Sequence, residues 1–148
     1  MQRPKIDQKI IEDAAKLTAS QTSNIGQDEI NDLAIDIARA YRPYMDGYQL
    51  AKRMEDWGWD VDSVFVEDME NMFANVSMCH ENAQRLWEKQ QNIQPPHPIG
   101  TQTTKGEIVG IYDHGTAKYL IKQPGQDDEK TGHRRLIVNF EDVVLEPQ

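Results

Sequence analysis

The chain has 148 residues, 28% charged and 38% apolar, with a formal net charge of −9. That balance fits one ordinary folded domain or two small ones and argues against a disordered chain. The net negative charge repels phosphate backbones and so disfavours non-specific nucleic-acid binding, and no apolar run approaches the roughly 18 residues needed to span a bilayer.

The opening segment, Met1-Gln2-Arg3-Pro4-Lys5, leads into an amphipathic pattern and not into the apolar stretch of a signal peptide. A single cysteine, Cys79, excludes an internal disulfide framework. A cytoplasmic protein is expected.

Residues 6–19 read as a first helix, with Ile6, Ile10, Ala14 and Leu17 on one face and Asp7, Lys9, Glu12, Asp13 and Lys16 on the other. Thr18 to Gly26 is polar and small, which predicts a loop. The spacing of Ile30, Leu33, Ala34, Ile37, Ala38 and Tyr41 predicts a second helix over Asp28–Arg42, stopped by Pro43. A third is expected over Asp46–Trp57, with Leu50, Ala51, Met54 and Trp57 inward and Gly58 as its stop. A long helix follows, from about Asp62 or Ser63 to Gln91. Its inward stripe is predicted as Phe65, Met69, Met72, Phe73, Val76, Cys79, Ala83, Leu86 and Trp87. A helix of that length needs others packed along it, so residues 1–92 are expected to form a helical bundle.

Gln94-Pro95-Pro96-His97-Pro98 cannot be helical and marks an extended hinge, set at 93–103. Beyond it the apolar period becomes two. Glu107–Tyr112 is β-rich and Asp113-His114-Gly115 signals a turn. Thr116–Lys122 alternates with Tyr119 and Ile121 on one face. Arg135–Phe140 alternates with Leu136, Val138 and Phe140 together. Pro124–Gly132 is a polar loop. Val143-Val144-Leu145 closes the segment.

This order (Lys105–Tyr112, a hairpin, Tyr119–Lys122, a loop, Leu136–Val138, then Phe140–Val143) resembles small SH3-like barrels of the KOW and Tudor type. The resemblance covers residues 104–146 and implies an α+β protein, a helical bundle followed by a small antiparallel β-barrel over 104–148. Such barrels mostly bind proteins or RNA, and some cage methylated side chains with aromatics. Tyr112, Tyr119 and Phe140 are the aromatics available here, and at least two are expected in the core.

Charge is the most informative functional feature. Between Arg53 and Arg85 there is no lysine or arginine, while Glu55, Asp56, Asp60, Asp62, Glu67, Asp68, Glu70 and Glu81 fall in that interval. Asp62 suits a helix cap, and acids suit a first helical turn. Solvated faces, however, normally mix both signs, and an unmixed acidic surface steers cationic partners. Trp59 lies in the same stretch and tryptophan is a favoured interface anchor. The candidate partner-binding residues are therefore Trp59, Asp60, Asp62, Glu67, Asp68 and Glu70.

The helix–turn–helix around Trp57–Ser63 has the wrong sign for a DNA groove. Asp60-x-Asp62 fails as a calcium loop, because the sixth and twelfth positions hold Phe65 and Asn71. Cys79-His80-Glu81 has no second ligand at zinc spacing, so Cys79 reads as core. No catalytic residue, metal site or cofactor is predicted. Lys130, Arg134 and Arg135 could contact RNA or an acidic protein, or could balance Asp127-Asp128-Glu129 in the same loop; the balancing role is preferred.

Two functions are expected in order. The first is a non-enzymatic acidic protein engaging a basic protein, such as an inhibitor that imitates DNA in a nucleic-acid-handling complex. In size and charge the chain resembles anti-CRISPR and anti-restriction proteins of phages and mobile elements. The second is an RNA- or ribosome-associated accessory protein acting through the barrel. The long helix leaves self-association open.

Overall fold

The computed structural model describes residues 2–147. It is α+β: helices α1 (Gln8–Gln21), α2 (Ile30–Ala40), α3 (Gly47–Glu55) and α4 (Ser63–Gln90) precede strands β1 (Gln102–Thr103), β2 (Gly106–Ile111), β3 (Lys118–Lys122) and β4 (Leu136–Asn139). A short helix α5 (Asp128–Thr131) sits between β3 and β4, and a 3₁₀ turn (Phe140–Asp142) follows β4. By compactness the chain divides into residues 2–83 and 84–148. The division falls inside α4, ahead of the proline-rich stretch where the composition changes.

In the first unit, side-chain caps fix where the helices begin. Asp7 accepts from Ile10 N at 2.9 Å, so α1 starts two residues later than the apolar pattern suggests and Ile6 is left outside, exposed. Asp46 and Gln49 form a reciprocal capping box on α3, and Asp62 Oδ1 accepts from Phe65 N at 2.8 Å ahead of α4. Leu33, Ile37, Leu50, Met54, Met69 and Met72 are fully buried and form the centre of the core. Thr18 and Asn75 are buried among them but hydrogen-bonded: Asn75 Nδ2 donates to Thr18 Oγ1 and Gln21 Oε1, and Thr18 Oγ1 donates to the Ala14 carbonyl. Cys79 is half-buried against this core; burial, with the Asp13 charge as a lesser cause, raises its thiol pKa and favours the unreactive protonated form.

Two further residues expected inward are exposed. Trp57 is 39% exposed, because α3 ends at Glu55 and a turn carries the chain out before the next helical repeat. Leu86 is 54% exposed, because Gln84 and Trp87 take the buried side of the last turns of α4 and Leu86 falls about 100° away from Trp87.

In the second unit the four strands are antiparallel in the order β1-β2-β3-β4. Leu120 pairs with Ile137 and Ile121 with Leu136; a register shift lies between Ile108 and Gly110. Ile108, Tyr119, Ile121, Val138 and Phe140 are buried with Trp87 from the end of α4. The segment after the 3₁₀ turn returns to β1: Thr103 bridges Leu145, Thr104 N donates to Val144 O, and Glu146 N donates to Gln102 O. The proline-rich run is neither helix nor strand. At His97 it is fastened to the sheet: the His97 N–H donates to Tyr119 Oη at 2.8 Å, and that hydroxyl donates to the His97 carbonyl at 3.0 Å.

The loop predicted over Pro124–Gly132 contains α5 and an ion-pair hub. Asp128 accepts from Arg135 Nη1 at 2.9 Å and Nη2 at 3.1 Å, with Lys122 Nζ at 3.6 Å and His133 Nδ1 at 3.4 Å. The Arg135 hydrogen bonds hold the Asp128 carboxyl down at about 2, against an ordinary 3.8, with the charges of Arg135, Lys122 and His133 assisting and desolvation opposing. A folded-state pKa below the unfolded one gives stability that is complete above the unfolded value and fades as pH falls through the folded value. The anchor is therefore expected to hold down to pH ~4 and fail toward pH ~2. A carboxyl-carbon NMR titration should place the Asp128 midpoint near the lower value and show it rising toward the ordinary one in Arg135→Gln.

Candidate acidic docking surface

The six residues singled out in sequence divide into two groups. Four are engaged within the helical unit. Asp62 caps α4. Asp68 Oδ2 accepts from Ser23 N at 3.0 Å and so ties down the loop after α1. Glu70 Oε1 accepts from Gly47 N at 2.7 Å, at the first turn of α3, where backbone N–H groups favour a carboxylate. Trp59 is half-buried, stacked near Phe65 with ring centroids 6.4 Å apart, and its Nε1–H donates to Asp36 Oδ2 at 2.8 Å. Trp59 thus serves packing and the surface together. Asp60 and Glu67 are exposed, and their side chains meet no hydrogen-bond or ion-pair partner among the described residues.

Among the described residues, no lysine, arginine or histidine forms an ion pair with any of the five carboxylates. Ion pairs of the first unit include Lys9–Asp13, Arg39–Asp36 and Lys52–Glu55, each within a single helix. Of the net −9, the first unit carries −8, sixteen Asp and Glu against eight Lys and Arg over residues 2–83.

Three shallow recesses run across this surface. The first, about 430 Å³, is lined by Glu29, Asp32, Ile35 and Asp36 of the α2 region together with Trp57-Gly58-Trp59. The second, about 330 Å³, shares Glu29, Gly58 and Trp59 with the first and adds Asp60, Asp62 and Val64 among others. The third, about 480 Å³, shares Asp62 and is edged by Tyr48, Val66 and Glu67. Gly58, at φ +94°, makes the reversal that sets the two indoles on either side of it; nothing lies near the position of a Cβ there, so the backbone conformation alone selects glycine.

Sequence reading missed Glu29 and Asp32, which lie some thirty positions before Trp59 and reach this surface only through the packing of α2. The signal was present as acids on the outward face of the cleanest amphipathic helix, but nothing local linked them to Trp59. Exposed Tyr48, Trp57 and Val64 add apolar area among the carboxylates.

On the alternative site, Arg135 is hydrogen-bonded to Asp128, while Lys130 and Arg134 are exposed. Tyr119 and Phe140 are buried against each other at 4.5 Å between ring centroids, which leaves Tyr112 as the remaining aromatic and makes no three-sided cage. Among the described residues no group of three His, Cys, Asp or Glu is arranged to hold a metal ion, and no helix is long and apolar enough to cross a membrane. Comparison with protein-family models, with curated proteins and with solved structures gave no match for this chain.

Proposed function

We propose that this chain is a non-enzymatic, cytoplasmic binding protein whose helical unit engages a basic protein partner, acting as an inhibitor that imitates the phosphate charge of DNA toward a nucleic-acid-handling complex. The observation that carries the reading is the uncompensated charge: Asp60, Asp62 and Glu67 line two adjoining recesses, and neither they nor Asp68 and Glu70 have an ion-pair partner among the described residues. An unneutralised field of this kind costs self-repulsion and accelerates association with a cationic surface. Tyr48, Trp57, Trp59 and Val64 supply the apolar area that a charge-only surface would lack. We also read the second unit as an SH3-like barrel, supported by the return of residues 144–146 to β1 after the 3₁₀ turn.

The test is copurification from the native host followed by binding measurements on the captured partner. The double variant Asp60→Lys/Glu67→Lys changes two side chains with no described structural role, so its fold should be unaltered. It is expected to weaken the complex at least about tenfold at low salt, and wild-type affinity should fall as salt rises. The captured protein should also lose duplex DNA when this chain is added. Unchanged capture by the double variant would sink the reading.

A further inference from the structure

The recess beside Trp57 shows what kind of group it suits. Arg39, on α2, lays its guanidinium 4.8 Å from the centroid of the Trp57 ring. Its only described charge partner is Asp36, at a long 3.6 Å, and its side chain remains 64% exposed. Asp36 is itself positioned from the other side by the 2.8 Å bond from Trp59 Nε1. An indole face and a fixed carboxylate thus already hold one guanidinium, loosely, at the rim. Inside the recess the Glu29 and Asp32 carboxylates have no ion-pair or hydrogen-bond partner among the described residues, and no lysine or arginine is among the lining residues.

We infer that this recess takes an arginine side chain of the basic partner, with Arg39 as a built-in competitor that the incoming guanidinium displaces from Trp57. The inference rests on the proposed docking function and names the chemistry of its anchor. Arginine fits better than lysine because its planar, weakly hydrated guanidinium stacks on an indole while its fork meets carboxylates; an ammonium is more strongly hydrated and lacks the stacking face. At about 430 Å³ the open recess has room for a guanidinium laid against the indole. The hold of Arg39 is weak enough to yield, since an exposed, long i,i+3 pair contributes little.

The experiment uses the full-length chain with two probes, nona-arginine and nona-lysine peptides, at low salt, read by tryptophan fluorescence and calorimetry. The arginine peptide is expected to bind about fivefold or more tighter than the lysine peptide. Trp57→Ala should abolish that preference and weaken the arginine peptide about tenfold. Arg39→Ala should strengthen binding severalfold, because it removes the competitor. Circular dichroism of each variant checks the fold, and Arg39→Ala, at an exposed position, keeps the test open if Trp57→Ala is misfolded. Equal binding of the two peptides, or weaker binding by Arg39→Ala, overturns the inference. If that happens while Asp60→Lys/Glu67→Lys still releases the host partner, the docking surface stands without an arginine recess. If the double variant also releases nothing, both fail.

Discussion

Gly106→Ala is expected to unfold the C-terminal unit selectively. Gly106 opens β2 at φ +137°, beyond even the small left-handed well that asparagine tolerates, and a Cβ there would overlap the Lys122 carbonyl oxygen and lie 2.9 Å from its carbon. Both offending atoms are backbone of β3, the strand that pairs with β2, so the neighbour can move aside only by breaking the register of Glu107 against Lys122. Strain and collision together should cost at least about 3 kcal/mol. For a unit of this size that corresponds to a fall in Tm of roughly 12 °C or more. Gly106→Asn should fare no better, because a residue tolerant of positive φ still carries the Cβ. Hydrogen exchange read by mass spectrometry should show β2, β3 and β4 losing protection while α1, α2 and α3 keep theirs. Ordinary protection of β2 in the alanine variant would mean that β3 yields more easily than its pairing suggests.

How far the fold was legible depended on whether the deciding interaction was local. The helices were readable because Leu33, Ile37, Met69 and Met72 recur at helical spacing and because Asp7, Asp46 and Asp62 are caps within three residues of the donors they satisfy. Trp57 was misread because extending the α3 period to it ignored the reach of Gly58: the glycine ends the helical geometry earlier, and the indole swings out. β3 and β4 were readable from alternation, whereas the two residues of β1 are too few to show a period; what makes them a strand is pairing with β2 and with the segment around Leu145, a tertiary matter.

The candidate site was half legible for a related reason. A run of acids without cations is visible in one dimension, and whether distant cations fold onto it is not. Among the described residues Asp60 and Glu67 meet no cation, while Asp68 and Glu70 have ordinary duties at Ser23 and Gly47, 45 and 23 residues away in sequence, that no local pattern announces. The Arg135–Asp128 pair, seven residues apart within one loop, was the kind of contact sequence could anticipate. Glu29, Asp32 and Arg39 gather around Trp57 only because α2 packs beside the turn, and so over half of the lining of the recess comes from outside the acidic stretch.

Trp87→Ala should be the most damaging substitution in the helical sequence for the β-unit. Trp87 belongs to α4, yet it is buried with Ile108, Tyr119, Ile121, Val138 and Phe140 and not with the core of residues 2–83. Small sheets of four short strands enclose little apolar volume of their own, and a unit of some 60 residues buries a smaller fraction of its surface than a larger domain does. An indole supplied from the preceding helix makes up a large share of that core. Truncating it removes the transfer energy of the ring and leaves a cavity that the strands, fixed by their ladders, cannot close, at a cost of about 3–5 kcal/mol. The same physics sets where the unit can be cut. A fragment of residues 84–148 keeps Trp87 and the Ile93 that packs beside it, and is expected to show dispersed amide resonances and a cooperative melt. A fragment beginning at 95, within the proline run, keeps every strand and the His97–Tyr119 hydrogen bonds but lacks both side chains, and is expected to be largely unfolded. Equal stability of the two fragments would show that the strands suffice without the helix end, and would move the working boundary of the unit from Gln84 to the prolines.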